Sequence, residues 1–398
     1  MKIMFRGGAL NNQKIGLALS GGGSRAIAFH LGCMRALHDR GILDKVSVLS
    51  AVSGGSVIAA LYAYNDEPFD EFERRVVSLL QSGIAGGIAK ETFFSTEFPK
   101  ILLANLLGGL CAIVGRMIGF CALCFRLFGI DCSWFAKISN SLLDIFPRFA
   151  SRTTAFERYL EAKHFGSRLM DSVAKDDLVV VINAAELRTE TAFRFGSLES
   201  GCWRFGRTTE KPKVATAVAA SAAFPAMLPA IDRRLEFCKK GNFSLERVII
   251  TDGGVYDNFG ITCMLPNRSS DFSTNAIPVD FIIACDAGTG LPTGARRPYF
   301  WPSRMLATTL TIHRRTQTLM QNLLHRMAAA GEIKGFIMPY LGQSDGNLPF
   351  RPGDFVTRED AFNYPTDFFS MSDTNIEMLG KRGEQLTKIL IETYAAHL

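Results

Sequence analysis

Ser53 sits in Ala51-Val52-Ser53-Gly54-Gly55, directly after the β-branched run at 45–52 and before the apolar stretch SVIAALYAY. A hydroxyl carried on a sharp strand-to-helix turn, with glycines beside it, is exposed above a sheet as a nucleophile. The usual form of such a turn is Gly-x-Ser-x-Gly. Here Ala51 stands where the first glycine would be, and Gly55 keeps the second. Attack on an ester carbonyl develops an oxyanion, which preorganised main-chain donors stabilise more than they stabilise the ground state. The stretch LSGGGSRAIAF at 19–29 supplies such donors. Gly21, Gly22 and Gly23 permit close backbone approach, and the start of the helix that follows directs its N–H groups at negative charge.

A serine hydroxyl needs a base. Of six histidines, His30, His38, His164 and His397 fall in helical or terminal contexts with no neighbouring acid pattern, while His313 and His325 lie within one long helical stretch. None marks a strand end. Asp252 does, because it follows RVIIT and precedes Gly253 and Gly254. Plainer readings exist: SGGS as a loop, and Asp252 as the first residue of an Asx-turn. Gly21, Gly23 and Ala26 also satisfy the dinucleotide pattern GxGxxA, which requires an acidic residue at the end of the second strand. That strand ends in AVSGGS, and Asp39 and Asp44 both precede it. No nucleotide or other cofactor is expected.

The elements that must hold these residues are readable from periodicity. KIGLAL at 14–19 reads as a buried strand, and 24–40 as a helix with Ile27, Leu31, Met34 and Leu37 on one face and Gly41 as its stop. The run at 45–52 is a second strand, giving a βαβ unit with parallel, adjacent strands. The runs at 177–187, 247–254 and 279–288 each end in polar or glycine residues and read as further strands of one mostly covered sheet. Sites are built at the carboxyl ends of such strands. Residues 303–330 read as one long helix, and no repeat emerges.

The 398 residues are 47% hydrophobic, ample for one large or two ordinary cores, and exclude a disordered chain. A net charge of +6 suits an anionic surface but is too diffuse for nucleic acid, and no nucleic-acid motif is present. MKIMFRGGALNNQK lacks the apolar core and cleavage site of a secretory signal, so the mature chain is expected to start there, in a reducing compartment. The nine cysteines form no paired CxxC knuckles, the single CxxC at Cys121 and Cys124 lying in an apolar run, so neither a structural zinc nor a disulfide framework is expected.

Four stretches, in chain order, resemble the motifs of patatin-like phospholipases. These are Gly21-Gly22-Gly23-Ser24-Arg25, Ala51 to Gly55, ASAAFP at 220–225 and DGGVYDN at 252–258. The resemblance covers roughly 14–290, extending to about 340, and leaves 90–150 and the tail after 345 unmatched. It implies a three-layer α/β/α fold around a mostly parallel sheet. It further implies a Ser53–Asp252 dyad without histidine, and hydrolysis of acyl esters in membrane lipids with no metal. Gly21, Gly22, Gly23 and Arg25 then form the oxyanion region, with the N–H groups of Gly22 and Gly23 holding the oxyanion and Arg25 steadying that loop or a phosphate. The expected organisation is an acyl hydrolase domain over 12–345, containing an apolar insertion at 90–150, followed by a C-terminal extension, 346–398, packed on it. Alternatives are an α/β-hydrolase using His313, against which the single strand before Ser53 argues, and an inactive lipid-binding or scaffolding relative.

ILLANLLGGLCAIVGRMIGFCALCF at 101–125 is long enough to span a bilayer. A single span would put Ser53 and Asp252 on opposite sides, and the charged stretch after it cannot return. It therefore reads as a lid or interfacial element of a peripherally membrane-associated, cytoplasmic protein, or else as a buried cap. No Asp or Glu occurs between Gly288 and Gly331; Arg304, Arg314, Arg315 and Arg326 cluster on one side of the late helix, with Met305, Leu306, Ile312, Leu319, Met320, Leu323 and Met327 on the other. The favoured reading is an outer-layer helix whose apolar face covers the sheet.

Overall fold

The computed structural model describes residues 13–131, 133–144, 148–225, 227–290, 294 and 297–398. The first twelve residues, where the mature start was placed, lie outside these, as do small parts of the 90–150 insertion.

The strands are β1 (Ile15–Leu19), β2 (Val46–Val52), β3 (Val179–Glu186), β4 (Thr191–Gly196), β5 (Ser200–Cys202), β6 (Gly206–Thr208), β7 (Ile231–Lys239), β8 (Asn242–Asp252), β9 (Phe281–Cys285) and β10 (Gly335–Ile337). The first six α-helices are α1 (Gly23–Asp39), α2 (Gly54–Ala63), α3 (Phe69–Ser82), α4 (Ile84–Phe94), α5 (Glu97–Leu127) and α6 (Ser133–Asp144). They are followed by α7 (Arg152–Leu160), α8 (Val214–Ser221), α9 (Gly254–Asp257), α10 (Trp301–Ala330), α11 (Arg358–Phe362) and α12 (Asp373–Tyr394).

One sheet runs β10-β9-β1-β2-β3-β4-β5-β6-β7-β8, and β8 also returns to β3. From β10 to β3 the neighbours are parallel, as the βαβ pattern requires; from β3 onward they are antiparallel. Alternate residues of the parallel strands face opposite layers. Leu17, Leu19, Val180, Ile182 and Ile283 join a core under α1, α2, α3, α8 and α12, while Ala18, Val181, Ile282 and Ala284 face Phe259–Leu265 and the last turns of α10. The three layers expected from the sequence are present.

The antiparallel half differs from the expectation of a single strand at 247–254. β7 and β8 form a long hairpin, and the meander from β4 to β8 was not anticipated. Its segments are too short or too charged to announce themselves: β5 and β6 have three residues each, and β7 reads IDRRLEFCK. The meander sets the site. β3 pairs along one edge first with β2, ending at Val52 opposite Asn183, and then with β8, ending at Asp252 opposite Ala184. β2 and β8 thus approach head-on along the same strand, and their carboxyl ends meet at adjacent rungs.

Two elements stand off the body. Within α5 only Glu97, Ala104 and Gly115 are buried, which rules out the buried-cap reading. α6 folds back antiparallel on its outer half, where Ser139 Oγ donates to the Gly115 carbonyl (2.7 Å) and Phe125 stacks on Phe135. By Arg148 the chain is again beside the root: its guanidinium donates to Asn105 Oδ1 (2.7 Å) and its N–H to Asp232 (2.8 Å). α10 is likewise covered only near its end, at Leu324 and Met327, while Trp301, Met305, Leu306, Leu310 and Ile312 are exposed. The expected sheet-covering role holds for its last turns alone.

Candidate active site

Ser53 is the N-cap of α2 with φ 51° and ψ −122°, a conformation costing a non-glycine residue about 1–3 kcal/mol. Hydrogen bonds hold it there. The Ser53 N–H donates to Ser221 Oγ (2.9 Å), which in turn donates to the Asn183 carbonyl (2.6 Å). Asn183 Nδ2 donates to the Ala51 carbonyl (3.1 Å) and to Ser50 Oγ (2.8 Å), so the rung of β3 opposite the turn is locked to it on both sides. Ala51 fits the vacated glycine position because it is an ordinary strand residue, paired with Leu19 and Ile182. Gly55 has no such latitude: a Cβ there would lie 2.4 Å from the Leu19 carbonyl oxygen.

Asp252 arrives at the end of β8, where its N–H donates to the Ala223 carbonyl (3.2 Å) and that of Gly253 to the Ser221 carbonyl (3.3 Å). The ASAAFP segment therefore grips both strands that meet here. The Asp252 carboxyl accepts from the Gly254 N–H (2.7 Å), an Asx-turn, and faces the Ser53 hydroxyl, which favours its charged form. Burial pushes this carboxyl up to about 6, against the Ser53 hydroxyl and the Gly254 N–H, both of which favour its charge. Ser53 is 7% exposed and Asp252 2%.

The glycine turn lies beside them. Gly22 (φ 149°) and Gly23 (φ 62°) point N–H groups that have no acceptor among the described residues, and Gly54, whose Cβ position is 2.9 Å from Gly23 N, adds a third such group. The amino ends of α1 and α2 thus converge on Ser53, and their partial positive charge favours an anion there. Gly21 differs from expectation. Its N–H donates to the Asn258 carbonyl (3.3 Å), so it offers no free donor; it is glycine because a Cβ would lie 2.7 Å from Asn258 Oδ1 and 3.2 Å from Ser53 Cβ. Arg25 is a brace: Nε donates to the Ala287 carbonyl (3.0 Å) and Nη1 to that of Tyr364 (2.9 Å). Burial lowers its pKa to about 10, with Asp286 and Asp367 opposing, so it stays charged at neutral pH.

His313 faces the Gly254 backbone from α10, and burial holds its ring below the ordinary histidine value despite that contact. No bond joins it to Ser53 or Asp252 among the described residues. Sequence reasoning missed Gly54, Ser221 and Asn183. The residue after a nucleophilic serine is a known donor position and pointed to Gly54; Ser221 stood inside a quoted motif without a role.

A family description, Patatin-like phospholipase, matches residues 17–264. Human GIVD cytosolic phospholipase A2 shares the fold at 11% identity and a TM-score of 0.51, over 96% of this chain and 62% of that one. VipD from Legionella pneumophila is similar at 14% identity and a TM-score of 0.37, over 96% of this chain and 67% of that one. The chain thus spans about three fifths of the length of the human enzyme, 62%. No curated protein matches it in sequence. Residues 17–264 make up more than half of the chain and contain both Ser53 and Asp252, and on that match the chain belongs to the patatin-like phospholipase family.

Proposed function

We propose that this chain hydrolyses carboxylic esters of membrane lipids through an acyl-enzyme on Ser53. The observation that carries the reading is that β2 and β8 end at adjacent rungs of β3 and bring the Ser53 hydroxyl beside the Asp252 carboxyl, whose charged form it favours. Asp252 accepts the Ser53 proton as Oγ attacks the ester carbonyl. The N–H groups of Gly22, Gly23 and Gly54 receive the oxyanion, each such donor contributing about 10²–10³ in turnover. Asp252 returns the proton to the leaving alcohol, then takes one from the water that releases the fatty acid. No histidine is used.

The α5–α6 hairpin supports a membrane surface as the place of action. α5 is long and apolar enough to cross a bilayer, yet α6 turns back and Arg148 returns to the root, so both ends of the insertion stay on the side of the catalytic residues. Inserting the apolar tip, with Leu127 and Phe128, while the body stays in water satisfies that topology.

The test is release of fatty acid from mixed-lipid vesicles by the purified chain, read by mass spectrometry beside Ser53→Ala. Fatty acid from the parent and none from the variant is the expected result. Equal release by both, or none by the parent, overturns the reading.

A further inference from the structure

Among the described residues outside the site, one cluster of metal-ligating side chains lies in the core. His30 and Cys33 of α1 and Cys285 at the end of β9 bring an imidazole nitrogen and two sulfurs within 4.8 Å of one another, and all three residues are buried. Sequence spacing hides the group, because a lone His-x-x-Cys on a helix is completed by a residue far along the chain. The histidine is already oriented. His30 Nε2 lies 2.9 Å from the Ser20 carbonyl, an acceptor only, so that nitrogen carries the proton. Nδ1 then holds a lone pair, and it is a buried atom without a hydrogen-bond partner among the described residues. Donation of the far N–H to a backbone carbonyl is how metal-binding histidines are fixed.

We propose that His30, Cys33 and Cys285 bind a thiophilic d10 cation, copper(I) or zinc(II), which ties the helix behind the glycine turn to the strand behind Asp286. Two sulfurs and one imidazole form a soft donor set. Copper(I) with one thiolate, or zinc(II) with two, makes a neutral group, as a core without water requires. Ligand bonds of about 2.0–2.3 Å place such atoms roughly 4 Å apart, so the cluster closes by small side-chain rotations. The Cys33 sulfur also faces the Gly383 carbonyl of α12 at 3.6 Å, so the same point touches three elements. The hydroxyl of Ser20, next along the glycine turn, accepts from the Ala287 N–H (2.9 Å). A cation here stiffens that turn without contacting Ser53. The inference is independent of the hydrolase reading.

The experiment uses the full chain with Cys111, Cys121, Cys124 and Cys132 changed to serine, so that thiols of the apolar insertion do not compete. Reduced, metal-free protein receives copper(I) or zinc(II) without oxygen, beside a competing chelator, and is desalted. Metal per chain and Tm are then measured. The expected result is about one equivalent of one cation with a raised Tm, and a drop of about tenfold or more in retained metal for Cys33→Ala and Cys285→Ala. X-ray absorption of the loaded parent, showing sulfur and nitrogen neighbours together, decides the question if the variants fail to fold. Retention of neither cation, retention unchanged in the variants, or a shell of oxygen alone overturns the proposal.

Discussion

At the scale of single residues, the site is a strained serine held by its neighbours. Ser221 is the clearest of these, since its hydroxyl both accepts from Ser53 N–H and donates to Asn183. Ser221→Ala should lower turnover by about 10–100-fold with little change in KM, because a small misplacement of a reacting atom is felt in the chemical step. Steady-state kinetics on a soluble ester checks this, and a change confined to KM contradicts it. Asp252 sets the pH dependence. With its pKa raised to about 6 it accepts a proton only when ionised, so kcat/KM should rise through about pH 6 and level off above. Stability runs the other way. The folded chain holds the Asp252 proton more tightly than the unfolded chain, so this group's contribution declines as pH climbs from the ordinary carboxyl value of 3.8 to about 6. Asp252→Asn removes both trends, and a profile flat from pH 5 to 7 in the parent contradicts the assignment. The serine and the aspartate were legible because each sits in a short motif with glycines. Of the free donors, Gly22 and Gly23 were legible in the glycine turn, whereas Gly54 was not, because it joins them only through the packing of the amino ends of α1 and α2.

At the scale of elements, α5 and α10 present apolar faces that the body leaves uncovered. In α5, Leu106 is 62% and Phe120 66% exposed. Burying each in lipid is worth about 1.5–3 kcal/mol, so Leu106→Glu with Phe120→Glu should reduce vesicle binding by tenfold or more per residue, ~1.4 kcal/mol being tenfold. Hydrolysis of a soluble ester should be unchanged; equal loss in sedimentation and in hydrolysis points to a structural role instead. His313 supplies the contrast on α10. It faces the Gly254 backbone rather than the serine, so His313→Ala should keep most of the soluble-ester activity, and total loss contradicts a dyad. Length and apolarity marked both helices in the sequence. Their exposure did not follow from it, since hydropathy is the same for a helix buried in protein and one left for lipid.

At the scale of the whole molecule, the segment after 345 is tied into the body. Ser24 N–H donates to the Asp367 carbonyl (2.7 Å) at the start of α1, and Ile84 and Ala85 at the start of α4 both donate to the Phe368 carbonyl (3.0 and 2.8 Å). Arg382 of α12, fully buried, binds the carbonyls of Leu341, Val356 and Gln343 and the Asp345 carboxylate. Removing one partner of such a buried group costs about 3–5 kcal/mol, so Arg382→Ala should lower unfolding free energy by that amount in urea titration, and a loss below about 1 kcal/mol contradicts the placement. The parallel half of the sheet was readable because buried strands are long apolar runs. The meander was not: short strands are specified by their pairing partners. Yet it is the meander that returns β8 to β3 and delivers Asp252.

The central claim is that Ser53, served by Asp252, takes the acyl group. The direct measurement is peptide mapping of the chain after reaction with a fluorophosphonate, beside Asp252→Asn. A single adduct on Ser53, forming far more slowly in the variant, is expected. An active chain left unlabelled at Ser53, or labelled equally fast without the carboxylate, contradicts it.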